Sequence, residues 1–184
     1  MEEKISIQIE NVLNAYKQAT KEQKALLENM FGKDIFKPKN IMERVKTFED
    51  ACNELGEEHS YVQEYRGIAN VNFDFTQDII AYLKLRIIAA ALNEGWKPKF
   101  DGEEYRYYPW FCIYTKKAYE WLNEDEKKEC HVMGMSHDNA YSDNGVQTLS
   151  SGAFSSSRIV FKTRELAEYC EKQFIDIWEG YLFG

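Results

Sequence analysis

The chain has 184 residues, of which 44% are hydrophobic and 29% charged, and its formal net charge is −8. This length suffices for one domain with its own core, and the composition excludes a chain that is disordered throughout. The negative charge argues against a general affinity for duplex nucleic acid, because that affinity depends on lysine and arginine displacing counterions from phosphates.

The sequence predicts neither a secretion signal nor a membrane span. Its start, MEEKISIQIENVLNAY, lacks both the basic residues and the continuous apolar run of a signal peptide. The most apolar window, 79–92, contains Lys84 and Arg86 and is too short to cross a bilayer. The four cysteines are far apart, as expected of thiols in a reducing compartment. We therefore expect a cytoplasmic protein without disulfides and without a membrane partner.

The first 32 residues predict two helices. Apolar residues from Ile5 to Tyr16 repeat at helical spacing. Thr20 and Gln23 then form a capping box that starts a second helix, and Gly32 supplies the left-handed stop.

A further capping box, Asn40 with Glu43, predicts one amphipathic helix over 41–55, which Gly56 ends. Residues 57–75 have no clean period, so their structure stays open.

Residues 77–94 predict a buried helix, which Thr76 caps and which Gly95 and Pro98 terminate. Because nearly all residues of 79–92 are apolar, most sides of this helix must be covered. We expect it to be the central packing element.

The stretch EYRYYPWFCIY, residues 104–114, is aromatic and favours a strand. Pro109 cannot donate to a ladder, so it marks an edge strand, a bulge or the start of the strand. Both faces of 110–114 are apolar, which favours burial in a core. Three residues before the proline are expected to stay exposed: Arg106, Tyr107 and Tyr108.

The last third predicts short helices after Thr115 and Asn123, and then a polar stretch, 134–157. That stretch is either a mobile functional loop or a concealed hairpin around VQTL. RIVF, 158–161, predicts a strand, and Thr163 caps a final helix. The apolar stripe of this helix is Leu166, Cys170, Phe174, Ile177, Trp178 and Tyr181.

Helices followed by a few strands and a last helix predict the α+β class. The expected architecture is a helical N-terminal half packed on a small antiparallel β-sheet, with a C-terminal amphipathic helix. We expect a single domain, 1–184, with a helical part over 1–96 and the sheet plus C-terminal helix over 97–184.

The candidate binding surface combines aromatic rings with basic side chains. Rings that stack on unpaired bases contribute about 1–3 kcal/mol each, and a basic neighbour would contact the phosphates. The opposing interpretation is that these rings belong to the core. The candidate binding residues are Arg106, Tyr107, Tyr108, Trp110, Arg158, Lys162 and Arg164.

Other chemistries have weaker support in the sequence. No phosphate-binding glycine motif and no G-x-S-x-G occurs. Cys130, His131 and His137 lie close in sequence, but not at a recognised zinc-ligand spacing. We therefore predict no catalytic residues, no metal and no cofactor.

Three segments resemble a family of small uncharacterised proteins of phages, prophages and other mobile elements of gut-type bacteria. They are FKPKNIMERVKTFEDACNELG, AYLKLRIIAAALNEGWKPKFDGEEYRYYPWF and SRIVFKTRELAEYCEKQFIDIWEGYL. The resemblance covers most of the chain except about 130–156. It implies an accessory protein in the cytoplasm of a bacterial host, and it implies no activity, cofactor or catalytic residue.

These observations lead to three functional hypotheses. The favoured one is a non-enzymatic protein that binds a host protein, of the counter-defence or inhibitor type. Acidic residues outnumber basic ones in 118–145 and 165–184, which would suit a partner with a basic groove. The first alternative is single-stranded nucleic-acid binding, and the second is a small hydrolase or metal-dependent enzyme. The sequence leaves the oligomeric state open.

Overall fold

The computed structural model describes residues 6–69, 77–99, 104–134, 139–149 and 158–184. Most of these residues are helical, which confirms the helical part of the predicted α+β fold. Among the helices in these ranges, none has the length and apolar character needed to span a membrane. The chain divides into two compact units, Met1–Arg44 and Val45–Gly184.

The first unit contains helices α1 (Ile9–Gln18), α2 (Lys21–Phe31) and α3 (Ile41–Arg44), with a 3-10 helix (Lys33–Phe36) before α3. The predicted capping box at Thr20 is present, because its side chain accepts from Gln23 N while the Gln23 side chain accepts from Thr20 N. Gly32 ends α2 with a φ of 85°, as predicted.

The predicted helix over 41–55 is wrong, since the structure has two helices there. The second, α4 (Phe48–Leu55), begins at Thr47, whose side chain accepts from Asp50 N. The Asp50 carboxylate accepts in turn from the N–H groups of Lys46 and Thr47. This capping box, which the sequence analysis did not recognise, satisfies backbone N–H groups at the start of a helix. A separate helix therefore begins at Phe48. Gly56 ends α4, as predicted.

Helix α5 (Ser60–Ala69) occupies most of the stretch whose structure the sequence left open. Its start is held by His59, whose Nδ1 accepts from Tyr61 N at 3.2 Å. Histidine is not among the usual capping residues, so no local pattern predicts this start. Thr76, the predicted cap of the next helix, lies outside the described residues.

The middle of the chain contains α6 (Gln77–Leu92), β1 (Arg106–Tyr114), α7 (Lys116–Glu120), α8 (Glu124–Glu129), β2 (His131–Gly134) and β3 (Asn139–Leu149). The three strands have the order β1-β3-β2, and both pairings are antiparallel. VQTL lies in β3, opposite residues 106–109 of β1. Thr115 and Asn123 cap α7 and α8, as predicted.

Pro109 lies inside β1, opposite Val146 of β3. The backbone N–H and C=O of Tyr107 both bond to Phe161 and therefore face away from β3. Backbone direction alternates along a strand, so the nitrogen of Pro109 faces the same outer side. The proline thus costs no hydrogen bond in the β1–β3 ladder, as expected for an edge position.

The predicted strand RIVF, 158–161, is not found, and this segment forms only an isolated bridge between Phe161 and Tyr107. The side chain of Asn93, not a neighbouring strand, forms hydrogen bonds with the backbone next to this bridge. Asn93 Nδ2 donates to Val160 O at 2.8 Å, and Asn93 Oδ1 accepts from Lys162 N at 3.0 Å. One amide therefore satisfies backbone groups that a ladder would otherwise pair.

The predicted C-terminal helix is interrupted and forms α9 (Arg164–Gln173) and α10 (Ile175–Phe183). Phe174 separates them with φ −120° and ψ 31°, and its buried ring meets Tyr169 edge-on. Tyr181, placed in the buried stripe by its spacing, is 40% exposed.

Helix α6 is the centre of the second unit, as predicted. Helices α4, α5 and α10 pack against it, and α9 packs against β1 and β3. Gly180 of α10 lies close to α6, where an added Cβ would stand 3.4 Å from Ala81 Cβ. The largest fully buried side chains of α6 are Leu85, Ile87, Ile88 and Leu92.

Candidate functional site

The predicted binding residues of β1 are less accessible than expected. Arg106 is only 7% exposed and Tyr107 and Tyr108 are half-buried, so the expectation that they are the exposed members is wrong. The reason is the bridge between Tyr107 and Phe161, which brings a buried segment alongside this end of β1. Trp110 is also half-buried.

The predicted basic residues do not form one face. Lys162 Nζ lies 3.1 Å from a carboxylate oxygen of Glu94, and Arg164 lies 3.5 Å from that of Glu168. These acids offset the two charges locally. Arg158 is exposed and lines a cleft, where it joins Tyr108 and Trp110.

This cleft has a volume of about 680 Å³ and lies between α6, β1 and α10. We call it the aromatic cleft. Pro109, Ile159 and Arg158 also contribute to its wall. Its rings are Tyr82, Tyr108, Trp110, Phe111, Trp178 and Tyr181.

Four rings of the aromatic cleft form a row in which each ring contacts the next. The ring centroids of Phe111 and Trp178 are 5.2 Å apart, and those of Trp178 and Tyr181 are 6.0 Å apart. Tyr181 then stacks on Tyr82 of α6, also at 6.0 Å. Such offset and edge-to-face pairs hold the rings in defined orientations, which gives the cleft a preformed wall.

The rim of the aromatic cleft includes two large apolar side chains that reach solvent. Ile79 of α6 is 45% exposed and Tyr181 of α10 is 40% exposed. Neither was among the predicted site residues, because helical spacing placed both in the core. The signal that could have located them is the position of each at an end of its helix, where fewer neighbours cover a side chain.

A second cleft, of about 810 Å³, lies beside the first, between α5, α6 and residues 93–98. Arg86 lies in it with its guanidinium carbon 4.1 Å from the ring centroid of Tyr61. The same side chain contacts the Glu64 carboxylate at 2.9 Å, so its charge is offset. We call this the α5 cleft.

The candidates for nucleophilic or metal chemistry gain no assigned role. In the described ranges, no three His, Cys, Asp or Glu side chains are arranged to hold a metal ion. The Cys130 thiol donates to Glu126 O at 3.4 Å, and Cys112 is half-buried in β1. His137 lies outside the described residues.

No protein-family model, curated protein or solved structure matches this chain.

Proposed function

We propose that this chain is a non-enzymatic accessory protein of a phage or mobile element that binds a host protein through the aromatic cleft. The observation that carries the proposal is the cleft itself, in which preformed aromatic walls meet exposed rim residues. The proposed setting, the cytoplasm of a bacterial host, rests on the family resemblance of the sequence.

Residue chemistry favours a protein partner. Tyrosine, tryptophan and arginine dominate the energetic centres of protein interfaces, where an anchor from one partner fills a pocket in the other. The aromatic cleft contains all three residue types, with Arg158 beside Tyr108 and Trp110. Ile79 and Tyr181 at its rim supply apolar surface that a partner would cover.

The charges favour a protein over single-stranded nucleic acid. Nucleic-acid affinity rises with the number of cations that neutralise phosphates. Lys162 and Arg164 are paired with acids, and the net charge of the chain is −8. Arg158 alone of these three basic residues lines the cleft.

The proposal includes an architecture. The helices between residues 45 and 96 pack on the small antiparallel sheet, and the C-terminal helical segment closes the aromatic cleft. In this arrangement the partner contacts both layers, since Ile79 comes from α6 and Tyr108 from β1.

Site-specific photocrosslinking tests the proposal. The photoreactive residue p-benzoylphenylalanine replaces Tyr181 in the cleft or, as a control, Trp121, which is 79% exposed outside it. We expect the full chain, expressed in bacteria, to form a nuclease-resistant protein adduct from position 181 only. The added substitution Ile79→Glu should abolish that adduct. Equal crosslinking from both positions would contradict the proposal.

A second candidate function is single-stranded nucleic-acid binding. The observation that favours it is the convergence of Arg158, Tyr108 and Trp110 in one cleft, where a base could stack beside a phosphate contact. In the same experiment this function predicts an adduct from position 181 that nuclease shortens. Its yield should fall steeply with salt.

A further inference from the structure

The aromatic cleft and the α5 cleft are contiguous. Ile79, Tyr82 and Arg158 line both of them, so the two clefts form one trough along α6. Each cleft alone is within the range of about 300–1,000 Å³ that holds a small ligand. Two such clefts side by side suit a segment of chain that places side chains in both.

A run of π contacts follows the trough across the shared residue Tyr82. In the α5 cleft, the guanidinium of Arg86 lies between the rings of Tyr61 and Tyr82, at 4.1 and 5.7 Å from their centroids. In the aromatic cleft, Tyr82 continues to Tyr181 and Trp178. The trough therefore offers anchor positions for apolar or aromatic side chains on both sides of Arg158.

The rim charges of the trough are unequal. Arg158 and Lys97 are exposed and line it, and neither forms an ion pair with any residue that the structure describes. The other cation of the α5 cleft, Arg86, is paired with Glu64. An acidic residue, Asp78, lines only the aromatic cleft. The junction and the α5 side thus carry positive charge within an acidic protein.

We propose that the trough binds a peptide segment of the partner that carries carboxylates between aromatic or large aliphatic anchors. The carboxylates pair with Arg158 and Lys97, and the anchors fill the two clefts. This inference rests on the proposed function, because it names the chemistry of the segment that the host protein inserts.

Carboxylates suit this rim better than a phosphate backbone does. Arginine binds a planar carboxylate through two parallel hydrogen bonds, and a single such pair fixes the register of a bound peptide. A nucleic acid would carry a charge at every nucleotide, including those next to Asp78 of the aromatic cleft. Like charges next to one another disfavour that ligand.

Peptide selection tests the inference without knowledge of the partner. Random dodecapeptides displayed on phage are selected on the immobilised full chain, and the enriched sequences are made as free peptides for calorimetry. We expect aromatic residues flanking one or two Asp or Glu residues. Replacing each of those acids by Asn or Gln should weaken binding by about two- to fivefold, as expected for an ion pair at an exposed site.

Variants of the chain locate the contact. Arg158→Ala and Lys97→Ala should each weaken the selected acidic peptide and reduce the salt dependence of its affinity. Arg164→Ala is the matched control, since Arg164 is paired with Glu168, and it should bind as the unaltered chain does. All three positions are exposed, so circular dichroism should show unchanged folding.

The outcomes separate this inference from the proposed function. Peptides without acidic enrichment that Ile79→Glu still blocks would overturn the inference and leave the cleft as a protein site. Acidic peptides that bind Arg158→Ala and Lys97→Ala unchanged would also overturn it. Peptides insensitive to Ile79→Glu would contradict the proposed function itself. Displacement of the peptide by oligothymidine at equal affinity would favour nucleic acid instead.

Discussion

At the scale of single residues, Asn93 positions the segment that contains Arg158. Its side chain is 6% exposed and bonds to Val160 O and Lys162 N. The cleft wall at Arg158 and Ile159 therefore depends on a residue at the end of α6. Nothing in the spacing of the sequence indicates this contact, because 67 residues separate Asn93 from Val160.

We expect Asn93→Leu to destabilise the second unit by about 1–3 kcal/mol. The substitution leaves a buried carbonyl and an N–H without partners, and each such group carries a desolvation cost. Urea denaturation followed by circular dichroism measures the change. Asn53→Leu is the control, because Asn53 is exposed on α4 and its loss should change stability by less than about 0.5 kcal/mol. Equal losses at both positions would contradict the assigned role.

A second residue-scale prediction concerns Cys170, which is fully buried. Burial raises the pKa of its thiol, and the nearby Trp178 indole opposes only part of this effect. The unfolded chain therefore ionises first, near its ordinary pKa of about 8.5, and is stabilised as the pH rises further. Below about pH 8.5 the Cys170 thiol is protonated in both the folded and the unfolded chain, so its ionisation does not lower the free energy of unfolding.

We expect the free energy of unfolding to fall from about pH 8.5 upward, and to fall less steeply in Cys170→Ala. Urea titrations at several pH values measure the slopes. A Cys170→Ala chain with the unaltered slope would show that the thiol is accessible to water.

At the scale of elements, capping residues and glycine stops correctly predicted several helix starts and ends, because these signals act within a few residues of the chain. Thr20 with Gln23, Thr115 and Asn123 act as caps, and Gly56 ends α4. The errors occur where two signals compete. Asn40 and Thr47 both precede a helix, and sequence alone does not show that the second capping box interrupts the first helix.

The contact of α10 with α6 allows an element-scale prediction. An added Cβ at Gly180 would meet Ala81 Cβ at 3.4 Å, which is ordinary contact. We therefore expect Gly180→Ala to be neutral or stabilising by about 0.5–1 kcal/mol, since alanine favours a helix. Gly180→Leu should destabilise by about 1–3 kcal/mol, because its larger side chain overpacks the interface.

Thermal unfolding measures both Gly180 variants. Because α10 forms one wall of the aromatic cleft, Gly180→Leu should also reduce the position 181 crosslink. A leucine variant as stable as the alanine variant would show that α10 does not press against α6 at this point.

At the scale of the whole molecule, the second unit contains its own buried core around α6. We expect the fragment 45–184 to fold without residues 1–44. Circular dichroism and urea denaturation should then show helical structure and one cooperative transition. A fragment that lacks this transition would instead support the predicted single domain over 1–184.

The sequence by itself predicted the helical part of the fold and the central role of residues 79–92. It limited Pro109 to an edge strand, a bulge or the start of a strand. These follow from apolar spacing, capping residues and a missing N–H, all of which act within a few residues. Only the tertiary structure decided which residues form the candidate binding site. It buried Arg106, paired Lys162 and Arg164 with acids, and brought Ile79, Arg158 and Tyr181 to one trough. Such contacts join residues far apart in the chain, and local patterns do not encode which of them meet.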